Sequence, residues 1–148
     1  MIKQIQMVRE FNTKFKKFVG DPSKPSLDVP ENVLELRERI IREETEEIFD
    51  AVKKKDLINL AKEYSDALVV IFGGIVEHGL DYIIEDAFRL THESNMSKLD
   101  NDGNPVYRED GKVIKGPNYK KPDLSVLFKK TLNVVDGSGS DIVEEYQE

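Results

Sequence analysis

The chain has 148 residues, no cysteine and a formal net charge of −7. The missing thiols exclude disulfides, zinc thiolates and cysteine nucleophiles. The negative charge argues against a nucleic acid polymer held by broad neutralisation of its backbone.

The length fits one domain. The opening MIKQIQMVREF lacks the continuous apolar core of a signal peptide. LVVIFGGIV, the longest apolar run, falls short of the roughly 20 residues a membrane span needs. A cytoplasmic location and no membrane contact are therefore expected.

Residues 2–18 read as an amphipathic helix. Ile2, Ile5, Val8, Phe11, Phe15 and Phe18 recur in steps of three or four and share a face, which core packing explains. Residues 20–26 carry two prolines and a glycine and form a loop. Pro30 suits the first turn of a second helix, expected over Glu31 to about Lys54. Val33, Leu34, Leu36, Ile40, Ile41, Ile48 and Val52 mark its buried side. A third helix is expected from Leu57 to Glu77 or His78, with Leu57, Leu60, Ala61, Tyr64, Leu68, Ile71 and Ile75 as an apolar stripe. Ala67 to Val76 is apolar almost all round, which points to burial on two sides and to a dimer interface. Gly73-Gly74 inside it costs about 1 kcal/mol per glycine against alanine, so a close helix–helix contact is expected there.

Gly79 reads as a helix-terminating glycine and Asp81 as the N-cap of a fourth helix, Asp81 to Asn95. Beyond it, residues 105–108 and 112–114 flank Glu109-Asp110-Gly111 and predict a short hairpin lying against the helices. Lys112 to Lys130 contains six lysines and one acid, a possible counter-charge for phosphate or a solvated basic loop. Residues 131–148 form an acidic, Gly-Ser-containing segment that reads as a mobile tail. The domain proper is then 1–130.

The chemistry concentrates between Arg42 and Asp66. Glu44/Glu47 and Glu63/Asp66 are two pairs spaced i, i+3, so each pair shares a helical face. A break near Lys53–Asp56 lets the two helices return antiparallel and bring four carboxylates together. Like charges so close need a proton or a cation between them, and hard divalent ions take oxygen ligands of this kind. Charge runs are most often solvated faces. Three features argue otherwise: the pairs match, they sit on consecutive helices, and Glu63 and Asp66 lie within a strongly apolar helix. Glu46 is the odd one out and is expected to face solvent. No GxxxxGK[ST] loop, HExxH pair or Gly-x-Ser-x-Gly turn is present, and the two histidines, His78 and His92, stand apart. Carboxylate-held metal is the chemistry that remains, and with Mg²⁺ it points to phosphate.

Glu43-Glu44-Thr45-Glu46-Glu47 followed by Glu63-Tyr64-Ser65-Asp66 resembles the EExxE…ExxD signature of the all-α nucleotide pyrophosphohydrolases, the MazG-like and phosphoribosyl-ATP pyrophosphohydrolase-like group. VREFN near the start, HESNMSK at 92–98 and the DGK…KxxxYxxPD segment resemble the dimeric MazG-like dUTPase branch. The resemblance covers about residues 4–124. It implies an antiparallel four-helix bundle with a C-terminal loop or hairpin, assembled as a dimer or tetramer. It implies Mg²⁺-dependent cleavage, with Mn²⁺ able to substitute, between the α and β phosphates of a nucleoside triphosphate, giving monophosphate and pyrophosphate. By position, Glu44, Glu47, Glu63 and Asp66 would hold metal, and Glu43 and Glu47 would serve catalysis, Glu43 by orienting water. Asn95 and Lys98 would meet phosphates, Lys115 and Tyr119 would close the site, and Phe11 and Asn12 would border the base. Many relatives have histidine where Asn12 stands, so the base preference is open. Three functions follow as expectations: hydrolysis of dUTP or another non-canonical or deoxy nucleotide, hydrolysis of phosphoribosyl-ATP, or a non-catalytic helical oligomer that binds nucleotide or a partner.

Overall fold

Two long helices and the tight turn between them set the frame. In the computed structural model, which describes residues 1–132, these are α2 (Glu31–Lys54) and α3 (Leu57–Glu77). Lys55 adopts a left-handed φ of 57°. Its N–H donates to Val52 O at 3.1 Å and the Asp56 N–H donates to Ala51 O at 3.3 Å, which closes the end of α2. Asp56 then caps α3, its side chain accepting from the Asn59 N–H at 2.9 Å. One residue ends a helix and the next begins another, so the chain reverses and α3 packs back along α2.

The remaining helices are α1 (Ile2–Lys14), α4 (Ile84–Met96) and α5 (Ser125–Leu132). The architecture is all-helical, as expected, with no strand among the described residues. The predicted hairpin reduces to one antiparallel bridge, Tyr107 to Val113, on exposed backbone. Two strands this short gain too little from pairing to extend further. The acidic tail from residue 133 onward lies outside the described residues.

α1 packs on α3 around a small core of Ile5, Val8 and Val76, with Phe72, Ile75 and Ile84 against it. α1 is shorter than the predicted 2–18. Lys16 turns left-handed at φ 53° and the Lys17 N–H caps Asn12 O at 2.8 Å. Phe15 consequently leaves the core face and lies 65% exposed, its ring centroid 4.4 Å from that of Phe11.

Asp81 is not the N-cap of α4. Its buried carboxylate takes two hydrogen bonds from Arg9, at 2.6 and 2.8 Å, and Arg9 also donates to Gly20 O at 3.0 Å. A buried carboxylate is held more strongly by a bidentate guanidinium than by backbone N–H groups. α4 starts three residues later, after Leu80 O accepts from the Ile83 and Ile84 N–H groups.

Gly73 lies at an α2–α3 contact, made through a side chain of α2. A Cβ there would lie 2.4 Å from Arg37 Nη1. The Arg37 guanidinium crosses α3 at this point, donating to Val70 O at 2.9 Å and to both oxygens of Glu77 at 2.9 and 2.5 Å. Both side chains are largely buried, so this pair pins α2 to the far end of α3.

The apolar stripe of α3 is the largest departure from expectation. Leu57, Ala61, Tyr64, Leu68 and Ile71 step by four, three, four and three residues, yet all are exposed. The opposite face, through Glu63, Ala67, Gly73, Val76 and Glu77, is the one the chain buries. α2 is similarly bare at Phe49, 60% exposed, and Val52, 51% exposed.

The Arg37–Glu77 clamp gives a stability prediction. Arg37→Met leaves a buried carboxylate without its partner and should lower stability by about 3 kcal/mol. Adding Glu77→Leu should recover most of that loss, because the stranded charge is gone. Thermal unfolding followed by circular dichroism checks both; a double variant as unstable as the single one contradicts this reading.

Candidate metal centre

The reversal at Lys55 sets the register of the acids. Glu47 and Glu63 each lie eight residues from Lys55, and Glu44 and Asp66 each lie eleven. Equal distances from an antiparallel turn place residues opposite one another. One ligand oxygen each from Glu44, Glu63 and Asp66 lies within 4.8 Å of the others. Glu47, expected as a fourth ligand, is exposed and lies outside this group of three, near enough to Glu63 for the two carboxyls to interact. Two opposed oxygens bonded to Mg²⁺ at about 2.1 Å would stand about 4.2 Å apart, so a small side-chain rotation fits this donor set to an octahedral hard cation. All donors are carboxylate oxygens, the chemistry such a cation prefers.

The electrostatics carry the strain of this convergence. The Glu47 pKa is raised, first by its hydrogen bond to Glu63 and then by the Glu63 charge. The Glu44 pKa is raised, first by desolvation and then by the charge of Asp66. Glu63 is 5% exposed, on the face of α3 that the chain buries. One cation answers these charges. Lys62 Nζ lies 3.0 Å from Glu63 Oε2 and 2.8 Å from Asp66 Oδ2. Its hydrogen bonds to Asp66 and Glu63 raise its pKa far above the ordinary lysine value. Lys62 was not among the residues singled out from the sequence, although its i, i+4 spacing to Asp66 could have found it.

Glu43 is exposed and points elsewhere. It lines an open groove with Arg39, Arg42 and Glu46, and it reaches the cluster only through its charge on Glu44. Asn95 and Lys98 meet at the end of α4, Lys98 Nζ donating to Asn95 Oδ1 at 2.7 Å. The 115–120 loop docks there: the Gly116 N–H bonds Lys98 O at 3.0 Å, and Ser94 Oγ bonds Lys120 O at 2.7 Å. Lys115 Nζ sits 4.4 Å from the Tyr119 ring centroid. These four residues therefore form one corner, with no hydrogen bond or ion pair among the described residues joining it to the carboxylates. On α1, Phe11 is 42% exposed, with Lys17 Nζ 5.2 Å from its ring centroid. Asn12 is 2% exposed, and its Nδ2 has no protein partner.

The fold is all-α, and its converging acids form a donor set suited to a hard cation. The model of the phosphoribosyl-ATP pyrophosphohydrolase family matches residues 8–95, more than half of the chain. The chain belongs to that family, and its general activity is that of a nucleotide pyrophosphohydrolase. The matched span holds Phe11, Asn12 and all the paired acids and ends on Asn95, whereas Lys98, Lys115 and Tyr119 lie beyond it. No curated protein matches the sequence.

The raised pKa values predict a pH dependence. Below the ordinary glutamate value, folded and unfolded chains both hold the Glu44 and Glu47 protons, and nothing is lost. As pH rises through the raised folded values, the unfolded chain has already released its protons, so the fold loses stability. In EDTA, the melting temperature of the wild type relative to that of Glu47→Gln should therefore fall as pH rises from the ordinary glutamate value through the raised folded values. At the upper end Glu47→Gln should be no less stable than the wild type. Titrating groups away from the cluster are common to both proteins and cancel in the difference. Equal slopes would contradict the assigned cause.

Proposed function

We propose that this protein hydrolyses a nucleoside triphosphate to the monophosphate and pyrophosphate, with dUTP or another non-canonical or deoxy nucleotide as substrate. The observation that carries this reading is the convergence of Glu44, Glu63 and Asp66 from two antiparallel helices to within 4.8 Å of one another. A divalent cation held there, Mg²⁺ or Mn²⁺, supplies charge neutralisation for the triphosphate and activation of water. Glu47 stands at the exposed edge of the cluster with a raised pKa, which suits it to take the proton of the attacking water. Glu43 adds charge behind Glu44. Water's oxygen goes to one phosphorus, the α–β bridge breaks, and pyrophosphate leaves with its charge met by cations. Lys98 and Lys115 are the side chains proposed for that task, with Asn95 and Tyr119 beside them. Phe11 and Asn12 are proposed to border the base. The unpartnered Asn12 amide supports this, since a buried N–H without an acceptor is costly unless a ligand satisfies it.

We place the active form in a homodimer, with a tetramer as the larger alternative, working in the cytoplasm. The bare α3 stripe supports assembly: its four-three steps are the spacing of a helix seam that packs on another helix. A specific observation favours a second substrate. The family that matches is described by phosphoribosyl-ATP hydrolysis, which leaves that nucleotide level with dUTP.

Pyrophosphate release, measured over a panel of NTPs, dNTPs, dUTP and phosphoribosyl-ATP with Mg²⁺, separates these readings. Glu47→Gln and Asp66→Asn should each lower turnover by at least about a hundredfold, with unchanged circular dichroism. Full activity in both variants refutes the assignment. For the assembly, Leu68→Glu places a charge in the stripe and should convert dimer to monomer in sedimentation. A wild-type monomer, or a variant that remains dimeric, contradicts the proposed seam.

A further inference from the structure

Arg9 and Arg37 each meet one buried acid, and Arg89 spans two exposed ones. Lys14, Arg42 and Lys53 each meet one exposed acid a turn away, the common solvated arrangement. Lys62 differs. Its ammonium folds back over two acids at once, Asp66 one turn on and the adjacent Glu63, and Glu63 is buried. Those acids supply two of the three carboxylates that converge within 4.8 Å. A buried carboxylate needs a positive or donating partner, and Lys62 provides it. The lysine itself is 59% exposed on a flexible stem, so it can withdraw without unpacking the helices.

We propose that Lys62 is a tethered counter-ion that competes with the divalent cation for the Glu63 and Asp66 carboxylates. The inference rests on the metal reading of the cluster given above. The ammonium holds the acids together while no divalent ion is bound, and it must be displaced before both can act as ligands. Lys62 thereby sets the cation concentration at which the site fills. It lets the two helices stay paired without metal, at the expense of affinity for metal.

Mn²⁺ binding to the full chain, followed by the electron paramagnetic resonance signal of the free ion, tests this without reference to turnover. Lys62→Met removes the competitor and should tighten binding by about five- to tenfold, the weight of two partly exposed ion pairs. Lys62→Gln should act in the same direction. Lys62→Arg, whose planar guanidinium can hold both carboxylates more firmly, should weaken binding. A folded Lys62→Met protein that binds Mn²⁺ with wild-type or lower affinity overturns the proposal and leaves the metal site standing. A wild type that binds no Mn²⁺ overturns both.

Discussion

Carboxylates repel one another, and those of Glu44, Glu63 and Asp66 converge where α2 and α3 pack together. The rest of the structure can be understood from how that repulsion is tolerated. The turn at Lys55 and Asp56 sets the register, so Glu44 of α2 comes within reach of Glu63 and Asp66 of α3. The cost appears as raised glutamate pKa values and as a lysine recruited to bridge two of the acids. Strain of this kind, concentrated at one place in a small protein, belongs to a functional site more often than to a scaffold.

The helix pair withstands this strain because it is clamped elsewhere. Arg37 reaches from α2 across Gly73 to Glu77, fourteen residues along α3 from Glu63. Arg9 joins α1 to Asp81 at the turn into α4 and to the backbone at Gly20. Both are bidentate pairs with a buried acid, where geometry is fixed more firmly than by apolar contact. The apolar contribution within one chain is small, a core of Ile5, Val8 and Val76 with a few half-buried neighbours. Much of the hydrophobic surface along α2 and α3 faces outward, at Phe49, Val52, Leu57, Tyr64, Leu68 and Ile71.

Much of this was legible in the residues. Helix α2 matches its expected bounds, and α3 matches one of the two ends expected for it, because apolar periodicity, Pro30 and the break near Lys55 all agree. Of the four acids that i, i+3 spacing and the turn were expected to bring together, Glu44, Glu63 and Asp66 converge, and Glu47 lies outside that group. What periodicity could not supply was the partner of each apolar face. Of the expected stripe Leu57, Leu60, Ala61, Tyr64, Leu68, Ile71 and Ile75, Leu60 and Ile75 are half-buried and the other five are bare, because the pattern records burial without saying by what. Asp81 read as a cap because local rules cannot see Arg9, 72 residues away. Lys62 escaped notice for the opposite reason: it is an ordinary helix lysine until its neighbours are known to converge.

The central claim is that the four carboxylates form a single divalent-cation site. The most direct test is anomalous diffraction from a crystal of the protein soaked in Mn²⁺. The account predicts a manganese peak enclosed by Glu44, Glu47, Glu63 and Asp66, with Lys62 Nζ moved away from Glu63 and Asp66. A fully soaked crystal with no peak among these side chains, and with their carboxylates still bridged by Lys62, would contradict it.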